Sequence, residues 1–349
     1  MQEVIKKDKQ ENVPLSASRI KTLQTCSWLY YAKYKLKLPD KSNEGSLRGS
    51  ICHAIFENLG NPRHRHHYDS IIKAQDINVS KTIKRIVLSY AKKNKIDDQV
   101  NLDLINSMTI EGLNYDFFGD EKVKPTECIS EKNFDLNVDE GGINYRILGF
   151  IDKLFLFKKE NRALIRDFKT SKQIFQGKEA EDNMQDLMYS LAVKHLYPEY
   201  LKRNSEFLFL KFDCRNKGLL SLGQVEDEEL KGFEYFLTEI QKIINNFTED
   251  KAKSDFAFDK GYPSKEDGFS GKLVCGRADH EGHLKKDGTL MWHCAFKFSF
   301  YYYHIFDKDK NIIFSLREND FNEKLIPDNG SYEMKFYEGC PAFNRKNSY

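Results

Sequence analysis

Two strand-like segments separated by a four-residue polar turn most constrain how this chain can fold. Ile143–Phe157 (Ile-Asn-Tyr-Arg-Ile-Leu-Gly-Phe-Ile-Asp-Lys-Leu-Phe-Leu-Phe) is rich in aromatic and β-branched residues, and so is Ala163–Lys169. Lys158-Lys-Glu-Asn161 between them reads as a hairpin turn. An antiparallel hairpin centred on that turn sets Asp152 opposite Asp167, with Cβ atoms roughly 5 Å apart. Side chains alternate faces with period two, so Lys169 projects on the same side as Asp167. Two carboxylates and an ammonium on one sheet face suit a divalent cation and an activated water. Such clusters on exposed sheet faces also occur with no role beyond solubility, and a one-residue bulge would break the register.

Helices are expected on either side. Ser16 is placed to cap a pattern of Ile20, Leu23, Tyr30, Tyr31 and Tyr34 that runs towards Pro39. A second short helix spans Arg48–Glu57, with His53 and Glu57 four residues apart on one face. Downstream, Asn183–Val193 reads as an amphipathic helix with Gln185 and Tyr189 in the same relation. Taken singly, a helical histidine is more often a packed residue than a ligand, and a Gln/Tyr pair more often helix surface.

Ser16-x-Ser18 with Cys26 following, Gly49-x-x-x-His53, Gly149-Phe-Ile-Asp152, Asp167-x-Lys169 and Gln185-x-x-x-Tyr189 occur in this order. The set resembles the RecB-like branch of the PD-(D/E)XK nucleases, which includes nuclease domains of bacterial recombination enzymes, CRISPR-adaptation nucleases and phage exonucleases. The resemblance covers roughly residues 15–195. It implies that His53, Asp152 and Asp167 hold the metal and that Lys169 serves the chemistry beside the two aspartates. It also implies that Gln185 and Tyr189 position the substrate strand and that Glu57 stands where some members keep an accessory acid. The fold implied is α/β, a restriction-endonuclease-like mixed central sheet flanked by helices, with a helical insertion and a C-terminal extension.

The expected chemistry is metal-dependent DNA cleavage, exonucleolytic or directed at single strands, in recombination, repair or phage DNA metabolism. Mg²⁺ or Mn²⁺ prefers carboxylate and water oxygens, and an imidazole in the set suits Mn²⁺. The alternative of another class is a non-catalytic nucleic-acid-binding protein that keeps the fold, although such a binder needs neither the two aspartates nor Lys169.

Charge is nearly balanced over the 349 residues, 55 Lys and Arg against 53 Asp and Glu, so affinity for DNA must come from local patches. Residues 16–48 offer one, basic and interleaved with Trp28, Tyr30, Tyr31 and Tyr34, either as a phosphate- and base-contacting surface or as an ordinary amphipathic helix. The run Arg63-His64-Arg65-His66-His67 reads as a solvated loop. Residues 1–13 read as a flexible tail, 14–250 as the core with a helical lid-like or substrate-guiding insertion at about 61–125, and 251–349 as an extension. No apolar stretch is long enough for a membrane helix and no GxxxxGK[ST] loop is present, which points to a cytoplasmic protein without bound nucleoside triphosphate. Partners beyond DNA would be other recombination or replication proteins.

Seven cysteines in such a chain argue for metal binding or free thiols over disulfides. Several RecB-like nucleases clamp a four-iron–four-sulfur (4Fe-4S) cluster with one early and three late cysteines. That resemblance implies Cys26, Cys275, Cys294 and Cys340, with late spacings wider than the family's tight run. A zinc site from Cys275, His280, His283, His293 and Cys294 stays open on ligand types alone.

Overall fold

The computed structural model describes residues 11–40, 43–177, 183–257 and 274–346. The tail expected over 1–13 lies mostly outside them. The chain forms two compact units, one from Met1–Ala17 and Ser42–Lys242, the other from Ser18–Lys41 and Ile243–Tyr349. The expected division near residue 250 falls close to one of these boundaries, whereas residues 18–41, read as core, group with the C-terminal residues.

The early helical pattern is interrupted. α1 (Ala17–Thr25) ends at Cys26, whose extended backbone (φ −161°, ψ 120°) separates it from α2 (Ser27–Tyr30) and the wider π turn Tyr31–Lys35. Ser16 directly precedes α1. Trp28 and Tyr30 do not form a stacking surface for bases. Tyr30 is fully buried and meets Phe247 edge-on, and Trp28 Nε1 donates to Tyr337 Oη at 2.8 Å. Burying large rings releases more free energy than leaving them wet, so they went to the core of the second unit.

In the first unit, Asn43 caps α3 (Glu44–Gly60) by accepting the Ser46 N–H. α4 (Arg65–Ala74), α5 (Lys81–Lys93) and α6 (Gln99–Asn114) follow, the last two capped by Ser80 and Asp98. The run Arg63–His67, expected as a loop, is a 3₁₀ turn leading into α4. These helices are part of the core of the first unit. Ile71, Ile83, Val87, Ile105, Met108 and Leu113 fill one core with Ile51, Ile55 and Leu59 of α3 and with Phe168 and Leu208 of the sheet.

That sheet contains β1 (Glu127–Glu140), β2 (Ile143–Phe157), β3 (Arg162–Lys169), β4 (Lys202–Phe209) and β5 (Leu219–Gln224) in sequential order. Only the β3–β4 pair is parallel. Gly141 and Gly142 turn the β1–β2 hairpin with φ of +59° and +86°, values that favour glycine at both positions of a tight hairpin turn. The parallel step needs a crossover, which α7 (Met184–Leu196, capped by Asn183) supplies. β2 alternates buried and wetter residues at first, then is buried without a break from Ile151 to Phe157, where helices and neighbouring strands cover both faces. The expected mixed α/β sheet flanked by helices is therefore what the chain forms.

α8 (Asp227–Asn245) follows β5. The second unit adds α9 (Glu249–Ala252), an antiparallel sheet of β6 (Phe300–Phe306), β7 (Ile312–Arg317) and β8 (Ser331–Tyr337) in the order β7-β6-β8, and α10 (Pro341–Lys346). Among the described residues no helix is long and apolar enough to cross a membrane.

Candidate active site

The β2–β3 ladder runs from Phe157 paired with Arg162 to Lys153 paired with Arg166, the register the turn dictates. Asp152 and Asp167 come next, one step past the last pair. There Asp152 Oδ2 accepts the Phe168 N–H at 2.7 Å, so a side chain stands where a ladder carbonyl would. On the other side of β2, the pairs Ser130–Lys153 and Lys132–Ile151 bracket Glu131 opposite Asp152. Glu131 has a φ of +49°, a left-handed conformation that costs a non-glycine residue about 1 kcal/mol. The sequence reading missed this residue. Its signal was Gly141-Gly142: counting back from that turn, as was done from the next one, lands on Glu131.

α3 delivers the imidazole. A Cβ on Gly49 would lie 2.8 Å from Thr170 Oγ1, so glycine lets the helix approach the end of β3 closely. One turn later, His53 Nε2 donates to the Phe168 carbonyl at 3.1 Å. That bond leaves Nδ1 facing Asp152 Oδ1 at 3.2 Å and Glu131 Oε1 at 3.8 Å. One ligand atom each from His53, Glu131 and Asp152 lies within 4.8 Å of the others. Glu57, a further turn along α3, lines the same open cleft of about 480 Å³ with His53, Glu131 and Tyr90.

Asp167 is turned differently. Its Oδ1 accepts from Gln185 Nε2 at 2.8 Å and from Tyr189 Oη at 3.2 Å. Its buried Oδ2 lies 2.6 Å from Lys169 Nζ, close enough for an ion pair but without an aligned hydrogen bond. Lys169 Nζ instead donates to Gln185 Oε1 at 2.7 Å, and Gln185 Nε2 also reaches Tyr189 Oη at 2.6 Å. Gln185 and Tyr189 were expected to meet the substrate strand. Their polar atoms are spent on Asp167 and Lys169, and the Tyr189 ring is only 6% exposed, so they hold the acid and the ammonium in place.

The electrostatics suit a cation. Burial and the like charge of Asp167 raise the pKa of Asp152, opposed by His53 and the Phe168 N–H. Burial works against a charged imidazole at His53, but the Asp152 and Glu131 carboxylates outweigh it and raise its pKa. Burial and then the charge of Asp167 keep the Tyr189 hydroxyl protonated. Carboxylate oxygens, one imidazole nitrogen and a buried carboxylate oxygen without an aligned donor match the donor preferences of Mg²⁺ or Mn²⁺.

The second unit contains a site of another kind. Cys26, Cys275, Cys294 and Cys340 line one pocket walled by Trp28, Phe296 and Phe343. Their wide spacing is closed by the β-sheet: Cys294 lies before β6 and Cys340 after β8, and Phe300 pairs with Tyr337 at that end. Cys294 N–H bonds the Cys275 carbonyl at 3.1 Å. Burial and then the neighbouring Cys294, Cys26 and Cys340 push the Cys275 thiol up to about 12. None of the seven cysteines forms a disulfide. The Cys/His zinc set is not assembled. His280 and His283 each place Nδ1 2.5 Å from Asp279 Oδ1, forming a group of their own, and His293 Nδ1 faces the Met291 carbonyl. Zinc holds thiolates at about 2.3 Å, which would set sulfurs under 4 Å apart. Among the described residues, no three cysteine sulfurs gather within 4.8 Å.

A model of the PD-(D/E)XK nuclease superfamily matches residues 14–261 of the chain. Similar solved structures include one titled a "putative exonuclease" from Eubacterium rectale, 12% identical, with a TM-score of 0.42 over 67% of this chain and 81% of that one. Another, titled SSO0001, is 14% identical, with a TM-score of 0.23 over 58% of this chain and 87% of that one. No curated protein matches the chain.

Proposed function

The chain belongs to the PD-(D/E)XK nuclease superfamily, and from that premise we propose that it hydrolyses phosphodiester bonds of DNA at the β2–β3 site. The observation that carries this reading is the convergence of His53, Glu131 and Asp152 beside an Asp167–Lys169 pair fastened by Gln185. Members of the superfamily generally use divalent metals. Here Asp152, Asp167, Glu131 and His53 Nδ1 would hold Mg²⁺ or Mn²⁺, with Glu57 beside them in the cleft. When bound, such an ion neutralises charge developing on the phosphoryl group and makes water a better nucleophile at neutral pH.

The rest is the work of the side chains. In hydrolysis a water oxygen bonds to phosphorus and one P–O ester bond breaks; of the water's two protons, one ends on the leaving oxygen and the other on the new phosphate group or in solvent. The Lys169 ammonium stabilises negative charge on the attacking oxygen and on the phosphate. Gln185 fixes that ammonium, because its amide accepts from Lys169 while donating to Asp167. Tyr189, protonated and buried, supports the same carboxylate from behind. His53 keeps one tautomer when its Nε2 is tied to a backbone carbonyl, which leaves Nδ1 free for a ligand bond.

The finer reading is an exonuclease or a nuclease directed at single strands, acting in the cytoplasm on DNA in recombination, repair or phage DNA metabolism. Four thiols in one pocket suit a 4Fe-4S cluster that braces the second unit, because thiolates are the ligands such clusters take. End-labelled single- and double-stranded DNA and RNA, incubated with Mg²⁺, Mn²⁺ or EDTA, test the function. Cation-dependent shortening of DNA is expected. A folded protein that binds DNA and cuts nothing under any cation would instead be a binder that kept the fold.

A further inference from the structure

The chain is electrically balanced as a whole, yet one helix is not. From Ser80 to Ile96 there is no acidic residue and there are six basic ones: Lys81, Lys84, Arg85, Lys92, Lys93 and Lys95. All six are exposed. None is ion-paired with a carboxylate among the described residues, although surface lysines elsewhere in the chain are, as Lys33 with Asp40 and Lys194 with Asp227.

Helical spacing places Lys81, Lys84, Arg85 and Lys92 along one stripe of α5, where they line an open groove of about 510 Å³ with Leu88 and Ser89. This arrangement works against the helix in two ways. Like charges stand three or four residues apart, and Lys81 and Lys84 sit in the first turns, where the helix dipole disfavours cations. A surface needed only for solubility would intersperse both signs. On the same helix, Tyr90 is 46% exposed and lines the cleft that holds His53, Glu57 and Glu131. α5 therefore carries an unneutralised basic groove on one side and, about half a turn round, a ring of the candidate active-site cleft, so a strand that crosses the helix touches both.

We infer that α5 is the track along which a nucleic-acid strand enters, its phosphates on Lys81, Lys84, Arg85 and Lys92 and a base against Tyr90. This rests on the nuclease reading and extends it to a binding surface on the helical insertion. The chemistry is that of phosphate recognition: point charges position the backbone without reading sequence, and an aromatic ring stacks on any base. Apolar residues of the opposite face, Ile83, Val87 and Ala91, anchor α5 in the core, so the track is rigid.

The test is equilibrium binding of a fluorescent single-stranded DNA in EDTA, where cleavage plays no part. The Lys81→Gln/Lys84→Gln/Arg85→Gln protein should bind about tenfold or more weakly at low salt, with the slope of log K against log salt reduced by about 2. A charge-matched control in the β2–β3 turn and at the start of β4, Lys158→Gln/Lys159→Gln/Lys202→Gln, should bind like wild type. Turnover of a small diester, bis(p-nitrophenyl) phosphate, with Mn²⁺ and the thermal midpoint should be unchanged in both. Equal affinity and equal salt slope for wild type and the α5 variant would overturn the inference. So would a control that falls as far, or a loss of small-diester turnover confined to the α5 variant. A wild-type protein that binds DNA through α5 yet never cleaves it would overturn the nuclease reading alone.

Discussion

The carboxylate–imidazole cleft of the first unit and the thiol pocket of the second gather ligand groups by opposite means. In the cleft, hard donors come from neighbouring strands and one helix and face an opening of about 480 Å³. In the pocket, soft donors come from positions as far apart as Cys26 and Cys340 and are walled by aromatic rings. An open oxygen-rich site can exchange water and admit phosphate. A sulfur-rich site walled by aromatic rings suits a fixed structural group. On the proposed reading, turnover belongs to the cleft and bracing to the pocket, and each substitution below pulls on one side of that contrast.

The largest effect is expected at the shared carboxylates. Asp152→Asn and Asp167→Ala should each lower DNA cleavage by about a thousandfold or more, since both charge stabilisation and cation binding are lost. Iron content and colour should not change in either. A folded Asp167→Ala protein that cuts at the wild-type rate would end the assignment.

Next comes the thiol side. Protein purified without oxygen should be brown and contain iron and acid-labile sulfide. Cys275→Ser or Cys340→Ser should lose most of both and unfold at lower temperature, since the group ties distant parts of the chain. Mn²⁺ binding measured by calorimetry should survive these changes. Colourless, iron-free, fully active wild-type protein would remove the contrast, and zinc analysis of the same sample would show whether another metal takes the thiols.

Glu131→Gln sharpens the cleft itself. Replacing a charged oxygen donor by a neutral one should weaken Mn²⁺ binding roughly 10- to 100-fold. An unchanged affinity would return the cation to His53, Asp152 and Asp167 alone. Gln185→Ala and Tyr189→Phe should cost less, about tenfold to a hundredfold in turnover with cation affinity kept, because they act through Asp167 and Lys169. Lost cation binding in a folded Tyr189→Phe protein would contradict that role.

The smallest effect concerns Asp186, a buried carboxylate next to Gln185 in the chain. Burial, against the Ser205 and Ser190 hydroxyls, pushes its pKa up to about 6. A raised folded-state value means that its stabilising contribution is complete at low pH and is lost as pH rises from about 4 through 6. Asp186→Asn should therefore raise the thermal midpoint by a few degrees more at pH 8 than at pH 5. An equal shift at both values would show that Asp186 does not titrate in this range.

How much of this was legible varies with the distance over which residues had to be related. Asp152, Asp167 and Lys169 followed from one turn and a period of two, and the observed ladder from Lys153–Arg166 to Phe157–Arg162 has that register. The helices after residue 61 were visible as patterns, but their burial against α3 and Phe168 was not, since a helical repeat shows an apolar face without showing what covers it. For Trp28 and Tyr30 the sequence left a base-contacting surface and an amphipathic helix both open, for the same reason.

By itself, the sequence determined the mixed α/β class, the β2–β3 register and the ordered motifs that place the chain in its superfamily. Turn chemistry and side-chain alternation are local, so a reader of the chain can count them. Only the tertiary structure decided that Glu131 is held in a strained left-handed conformation and that His53 turns Nδ1 towards Glu131 and Asp152. It also decided that Gln185 and Tyr189 hydrogen-bond to Asp167 and that the four thiols line one pocket. These depend on strand order, on the close approach of α3 at Gly49 and on the return of β8 beside β6. Such long-range packing brings together residues whose separation along the chain carries no trace of their distance in space.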